Sequence, residues 1–269
     1  SDTPALLPVF AYYGAARGWI EIPQRLRESK VDYSQPASAL AGCLDAKSNF
    51  KEMLQWFDAE EAAELRENKG RSLADYQTSP ALSAVRDTIT RILGHDVSNP
   101  RFNQRHKFVV DSESRGELQV NQLSQGYQSM LALATDFSRR LAAANPHLND
   151  ASTLLDWHQL EELQKPYGFT SDALPPKGPL WAPAIMLVDE IDLHLHPSWQ
   201  QRVLGDLMRA FPGTQFIVTS HSPQVLSTVP VECIRIIRDD GVFAAPAGTD
   251  GAEVNRILQD VFGVSPRAD

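Results

Sequence analysis

Three short runs carry residue types whose spacing permits phosphate chemistry. Ile185-Met186-Leu187-Val188-Asp189-Glu190 is an apolar run that ends in two adjacent carboxylates. A buried strand with that ending presents its first acid to Mg²⁺, while the next acid orients or deprotonates an attacking water, as nucleotide hydrolases require. A strand that ends in a solvated acidic turn has the same local sequence. Gln215-Phe216-Ile217-Val218-Thr219-Ser220-His221-Ser222-Pro223 is a second such run, ending in a histidine, with Ser222 placed to cap a helix and Pro223 at its first position. Ligands of α/β folds sit at the carboxyl edge of the sheet, where His221 falls; a histidine that serves only its own turn is the competing reading. Leu123-Ser124-Gln125-Gly126-Tyr127-Gln128-Ser129 opens a long helical pattern. Ser124 can cap that helix, Gly126 lets a backbone N–H approach an anion, and the free N–H groups with the helix dipole favour phosphate there. An ordinary helix cap has the same form.

Regular elements must carry these runs to one place. Val9 to Tyr13 reads as a buried strand, followed by a turn at Gly14. From about Ile20 to His106 the pattern is mostly helical. Leu40, Leu44, Phe50, Met53, Leu54, Trp56 and Phe57 supply one apolar stripe, and Leu82, Val85, Ile89, Ile92 and Leu93 form one helix face. The charged stretch Glu60 to Arg71 predicts a solvated helix or lid. Phe108 to Val110 and Glu117 to Val120 predict two short strands joined by a polar turn. The helix opened by Ser124 continues through Met130, Leu131, Ala134, Phe137 and Leu141 until Asn145-Pro146 stops it. Residues 146–180 read as an insertion with one short helix around Leu154 to Leu163. Strands are then predicted at Ala184–Val188, Gln215–Thr219 and Cys233–Arg238, with helices at Pro197–Phe211 and Pro223–Ser227. This alternation predicts an α/β fold with a parallel or mixed sheet covered by helices.

Composition narrows the class. The chain has 269 residues, 42% hydrophobic and 22% charged, which are ordinary globular values. Twenty-five basic against 34 acidic residues give a net charge of −9, which argues against a surface that grips nucleic acid everywhere. Two cysteines, Cys43 and Cys233, provide neither a disulfide framework nor a cysteine zinc site. No apolar run approaches the roughly 18–20 residues that span a bilayer. A soluble, cytoplasmic protein is the expectation. Because the sequence opens directly on a core strand, a further part upstream of Ser1 is also expected.

Taken in order, a Ser-Gly helix start, a strand ending in Asp-Glu and a strand ending in histidine resemble the C-terminal half of an ABC-type ATPase. Leu123-Ser124-Gln125-Gly126 resembles the signature sequence, Asp189-Glu190 the Walker B pair and His221 the switch histidine. Together with Ala11 to Arg17, Leu123 to Leu131, Asp189 to Gln201 and Phe211 to Pro223, these runs are similar to the SMC-like and OLD-like branch. Within that branch the chain resembles the ATPases of Septu and retron-associated phage-defence systems. The resemblance is weak over 20–107 and absent over 146–180.

The resemblance implies an α/β ABC-ATPase head lobe, a mixed sheet flanked by helices with a helical insertion. It divides the chain into the end of an N-terminal ATPase lobe (1–19), a helical subdomain (20–107), strands with the signature helix (108–145), an insertion (146–180) and the Walker B and switch-histidine core (181–269). It implies ATP and Mg²⁺ as cofactors, and hydrolysis of ATP to ADP and phosphate. Asp189 would hold Mg²⁺ through water, Glu190 would be the general base, and His221 would sense the γ-phosphate. Ser124, Gln125 and Gly126 would bind the ATP of a second subunit. The implied partners are a second copy in a head-to-head dimer or higher oligomer, an HNH-type nuclease, and DNA or a retron's RNA/DNA; no membrane is implied. Two departures stand out. His196 occupies a position that is aspartate in many relatives, and no glycine is followed by lysine. The N-terminal P-loop portion is therefore expected to lie outside these residues.

Two other classes fit parts of the pattern. Asp192-x-His194-x-His196 with His221 resembles the ligand set of a metal-dependent hydrolase. A non-catalytic, ATPase-shaped module for partner binding would suit a chain without a P-loop. The short basic clusters Arg101, Arg105, His106, Lys107 and Arg139-Arg140 could touch phosphate or line a solvated face. Pro175-Pro176 with Trp157, Tyr167 and Trp181 predicts a docking surface for another subunit or the nuclease.

Overall fold

A computed structural model describes residues 6–18, 35–45, 50–94, 97–149, 178–246, 253, 256–257 and 261–263. At its centre is a three-stranded sheet in the order β1-β5-β6, formed by β1 (Val9–Tyr13), β5 (Ala184–Val188) and β6 (Thr214–Val218). Both pairings are parallel, with Tyr13 beside Val188 and Val188 beside Val218, so the three carboxyl ends lie in line. Side chains alternate across the sheet. Val9, Ala11 and Tyr13 of β1 and Ala184, Met186 and Val188 of β5 point into the core.

That face is covered by α3 (Gln125–Ala144), whose run of apolar and small residues leaves most of the helix buried. Ser124 caps it by accepting from the Tyr127 N–H at 3.4 Å, and it ends at Asn145 because Pro146 cannot continue it. Against α3 packs α2 (Pro80–Leu93), with Ser79 as cap, Pro80 in the first turn and Leu82, Val85, Ile89, Ile92 and Leu93 all buried, as their spacing predicts. α1 (Phe50–Glu67) adds Phe50, Met53, Leu54, Trp56 and Phe57 to the same core. A small antiparallel sheet, β2 (Ser98–Phe102), β3 (Phe108–Ser112) and β4 (Gly116–Gln119), closes one side. Downstream come α4 (Pro197–Gln200), α5 (Val203–Ala210), α6 (Pro223–Leu226) and the hairpin β7 (Arg235–Arg238) with β8 (Gly241–Ala244).

Several expectations need correction. The stretch expected as a solvated helix or lid is helical over 60–67, as the second half of α1, and exposed over 65–67, but Glu64 is buried there and accepts from Tyr76 and from the Ser79 N–H. β2 lies inside the stretch expected to be helical. The predicted helix over Pro197–Phe211 breaks at Gln201-Arg202 into α4 and α5. The parallel sheet is covered on one face only among the described residues: Ile185 is 36% and Ile217 51% exposed on the other. β1 pairs with β5 on one side, and on the other its Tyr12 N–H donates to the Cys43 carbonyl at 2.7 Å. The expected helix at 154–163 and most of the docking surface expected over 146–180 lie outside the described residues; at its described ends Leu148 and Leu180 are buried in the core and Trp181 is half-buried. No described helix is long and apolar enough to cross a membrane.

Candidate functional site

Parallel pairing brings Asp189-Glu190 and Thr219-Ser220-His221 side by side at the carboxyl edge of β5 and β6. The ladder runs on past the strands: the Asp189 N–H donates to Tyr13 O at 2.8 Å, the Thr219 N–H to Val188 O at 3.0 Å and the Ile191 N–H to Thr219 O at 2.9 Å. Side chains then tie the two ends together. The Thr219 hydroxyl donates to Asp189 Oδ1 at 2.5 Å and accepts from the Glu190 N–H at 2.8 Å. Ser220 donates to Asp192 Oδ1 at 2.6 Å. Glu190 is half-buried with φ +50°, a conformation that L residues rarely adopt. His221 is exposed, two residues beyond Thr219.

The start of α3 lies against the turn that follows Glu190. A Cβ at Gly126 would meet the His194 carbonyl oxygen at 2.6 Å, so the glycine is required for this backbone approach. His194 itself has φ +62°. Beside this contact, Tyr127 packs on Trp199 of α4 with ring centroids 4.3 Å apart. The sequence marks Gly126 for anion approach; the structure adds a packing reason that the sequence does not disclose.

Two buried arginine arrangements flank the edge. Arg17, in the turn after β1, is 2% exposed and donates to the carbonyls of Gly14, Asp189 and Glu190. Within α3, Asp136 accepts from Arg139 at 2.8 Å, from Arg140 at 2.7 Å and from the Tyr13 hydroxyl at 2.9 Å. Burial works to raise the Asp136 pKa, but the two guanidiniums outweigh it and hold the carboxyl at about 2. Burial, then the Asp136 charge, push the Tyr13 phenol well above its usual value. Arg139-Arg140 is therefore no phosphate-binding surface: both side chains are consumed in the core. Arg101 is likewise engaged, by Asp111 and Glu117 at 2.9 Å each.

The metal-hydrolase arrangement does not assemble. Asp192 is taken up by Ser220, and His196 Nδ1 lies 2.9 Å from the Ser198 hydroxyl as the cap of α4. Among the described residues, no three histidine, cysteine or acidic side chains are grouped to hold a metal. Thr219 and Arg17 are not among the sequence-based candidates. A hydroxyl just past a strand end is a weak sequence signal, and nothing local marks an arginine whose partners are carbonyls 172 and 173 residues away.

An acid pair and a histidine just past adjacent parallel strand ends, with a serine-capped helix start against the following turn, form a polar edge where α/β folds hold their ligands. The chain belongs to the family described as "AAA domain, putative AbiEii toxin, Type IV TA system", whose model matches residues 45–227. It is similar to a protein named "Retron Ec83 probable ATPase" of Escherichia coli, 34% identical over 189 residues, covering 70% of this chain and 30% of that protein. It is also similar to "Retron Vc95 probable ATPase" of Vibrio cholerae serotype O1 biovar El Tor, 25% identical over 273 residues, covering 86% of this chain and 48% of the relative. "Septu protein PtuA" of Bacillus thuringiensis is 33% identical over 88 residues, covering 30% of this chain and 22% of the relative. The chain thus spans no more than about half the length of the curated relatives it matches.

Proposed function

We propose that the chain is the Walker B and signature lobe of a phage-defence ATPase, which hydrolyses ATP across a dimer of heads and uses that cycle to control an associated HNH-type nuclease. One observation carries the reading: β5 and β6 end side by side in Asp189-Glu190 and Thr219-Ser220-His221, with Thr219 bridging them. The family match and the names of the retron relatives support the ATPase assignment. The likeness to a Septu protein supports the defence setting.

In this reading Asp189 holds Mg²⁺ through water. Its hard oxygen donors suit an ion that keeps most of its water shell, and when bound the ion would neutralise charge on the phosphates. Glu190, one residue further, orients the attacking water and takes its proton. His221 stands on the neighbouring strand end, where it meets the γ-phosphate. Ser124, Gln125 and the Gly126 amide face the triphosphate held by a second copy. The phosphate-cradling loop comes from residues outside this sequence, because no glycine here precedes a lysine. DNA or a retron's nucleic acid is the thing sensed.

Glu190→Gln in the full-length protein tests the reading. ATP binding should persist, hydrolysis should fall by at least about a hundredfold, and the ATP-bound dimer should accumulate. Wild-type turnover in this variant would remove Glu190 from the mechanism.

A further inference from the structure

The Asp189-Glu190 turn is gripped from both neighbouring strands. From the β1 side, Arg17 places one terminal nitrogen on the carbonyls of Gly14, at 3.2 Å, and Asp189; the other donates to the Glu190 carbonyl at 2.5 Å. From the β6 side, Thr219 bonds the Asp189 carboxylate and the Glu190 N–H. Glu190 thus has its N–H held by Thr219, just past β6, and its C=O by Arg17, in the turn after β1, as well as by the Leu193 N–H at 2.9 Å; its φ is an unfavourable +50°. Such a conformation persists only where its surroundings over-determine it.

Strand pairing does not use this grip. The backbone ladder through Asp189, Thr219 and Ile191 is complete without either side chain. A guanidinium is also an expensive group to bury on carbonyls, and the Arg17 Nε has no acceptor among the described residues. Burial lowers the Arg17 pKa, against the pull of Asp189, Asp192 and Glu190. Two of the three carbonyls that Arg17 engages, those of Asp189 and Glu190, belong to this turn, so the arginine bears directly on the turn's shape.

We propose that Arg17 and Thr219 are positioning residues that clamp the Asp189-Glu190 turn from opposite sides and set the direction of the Glu190 carboxylate. The inference rests on Glu190 being the base of ATP hydrolysis. Lysine at 17 cannot span two successive carbonyls as the planar fork does, and valine at 219 keeps the shape but loses the hydroxyl. Either change leaves Glu190 in place and misdirected, and misplacing a reacting group by about 1 Å costs up to about a hundredfold in rate.

The test measures ATP turnover and nucleotide affinity in the full-length protein for Arg17→Lys, Thr219→Val, Thr219→Ser and Glu190→Gln. Arg17→Lys and Thr219→Val should each lower kcat about ten- to a hundredfold, with KM for ATP and nucleotide affinity close to wild type. Thr219→Ser should restore most of what Thr219→Val loses. Arg17→Lys added to Glu190→Gln should cause no further loss, since both act through one carboxylate. A loss expressed in KM, or full additivity with Glu190→Gln, overturns the clamp. So does unchanged kcat in Thr219→Val, and this pair decides the matter alone if Arg17→Lys does not fold. If the single variants are silent while Glu190→Gln is inactive, the base assignment survives and the clamp falls; if Glu190→Gln turns over normally, both fall.

Discussion

Asp136 shows how a charge in the core of α3 fixes the helix against the sheet. Its carboxylate receives Arg139, Arg140 and Tyr13, and Arg140 reaches on to the Ala39 carbonyl at 2.7 Å and the Ala41 carbonyl at 2.9 Å. One carboxylate therefore joins β1, α3 and the turn over Pro36–Leu40. Removing it strands two buried guanidiniums, so Asp136→Asn should destabilise the fold by about 3–5 kcal/mol, measured by chemical denaturation. The pH dependence follows from the direction of the shift. The folded-state pKa of Asp136, about 2, is depressed below its ordinary unfolded value, so its contribution is complete above about pH 4 and disappears as pH falls towards 2. Glu60 and Glu61 act oppositely, because burial raises both of them. Their protonation as pH falls through the glutamate range favours the folded state. Acid unfolding should therefore begin below about pH 4, and in Asp136→Asn that acid limb should flatten. A wild-type protein that loses stability steadily from pH 6 downwards would contradict both assignments.

Elements defined by periodicity and caps were legible; those held by distant partners were not. β1, β5, β6, α2 and α3 follow directly from apolar alternation, helical spacing, Ser79-Pro80, Ser124 and Asn145-Pro146. The C-terminal half of α1 is the exposed helix that its charge suggests over 65–67, but charge count gives no sign of Glu64, which is buried with specific acceptor duties. β2 escaped because Ser-Asn-Pro-Arg-Phe has no alternation and its register with β3 shifts between Ser98 and Arg101. Arg139-Arg140 looked like a basic surface, although Asp136 stands three and four positions earlier and could have revealed the pairing. Within the site, the acid pair and histidine were readable as strand endings, and their adjacency came from parallel pairing. Arg17 closes one of the runs that carry the resemblance, but its carbonyl partners at Asp189 and Glu190 are not readable from the sequence. The α1 correction has its own consequence. The Glu64 carboxylate accepts from the Tyr76 hydroxyl at 3.0 Å and the Ser79 N–H at 2.6 Å, and it pairs with Arg86 at 3.3 Å, so it secures the entry into α2. Glu64→Ala should cost about 2–3 kcal/mol by unmaking a buried charge-assisted set. Amide exchange should quicken first over 76–82; a loss confined to α1 would show that Glu64 does not organise the α2 cap.

For the molecule as a whole, the open face of the parallel sheet and the content of the site point the same way. Parallel sheets are ordinarily covered on both faces, yet among the described residues nothing covers Ile185 and Ile217 on this one. The relatives of this chain are at least about twice its aligned length. Nucleotide binding should reflect that division. In the proposed reading Asp189, Glu190 and His221 would face the metal, the attacking water and the γ-phosphate, but most of the hydrogen bonds to a triphosphate in P-loop enzymes come from a loop of backbone amides and its lysine. Micromolar affinity requires about −8 kcal/mol. One acidic pair, which repels phosphate in the absence of the ion, together with an exposed histidine, falls well short of it. The 269 residues alone should therefore bind ATP–Mg²⁺ only very weakly, and should not turn it over even though Glu190 and its clamp are intact. Calorimetry on this chain, with the full-length protein as the comparison, checks the expectation. Tight, Mg²⁺-dependent binding by the isolated chain would mean that the phosphates are cradled by some group within it other than a glycine-lysine loop. Weak binding here with tight binding in the longer protein would place the cradle outside these residues and leave the carboxyl edge of β5 and β6 as the hydrolytic half of a shared site.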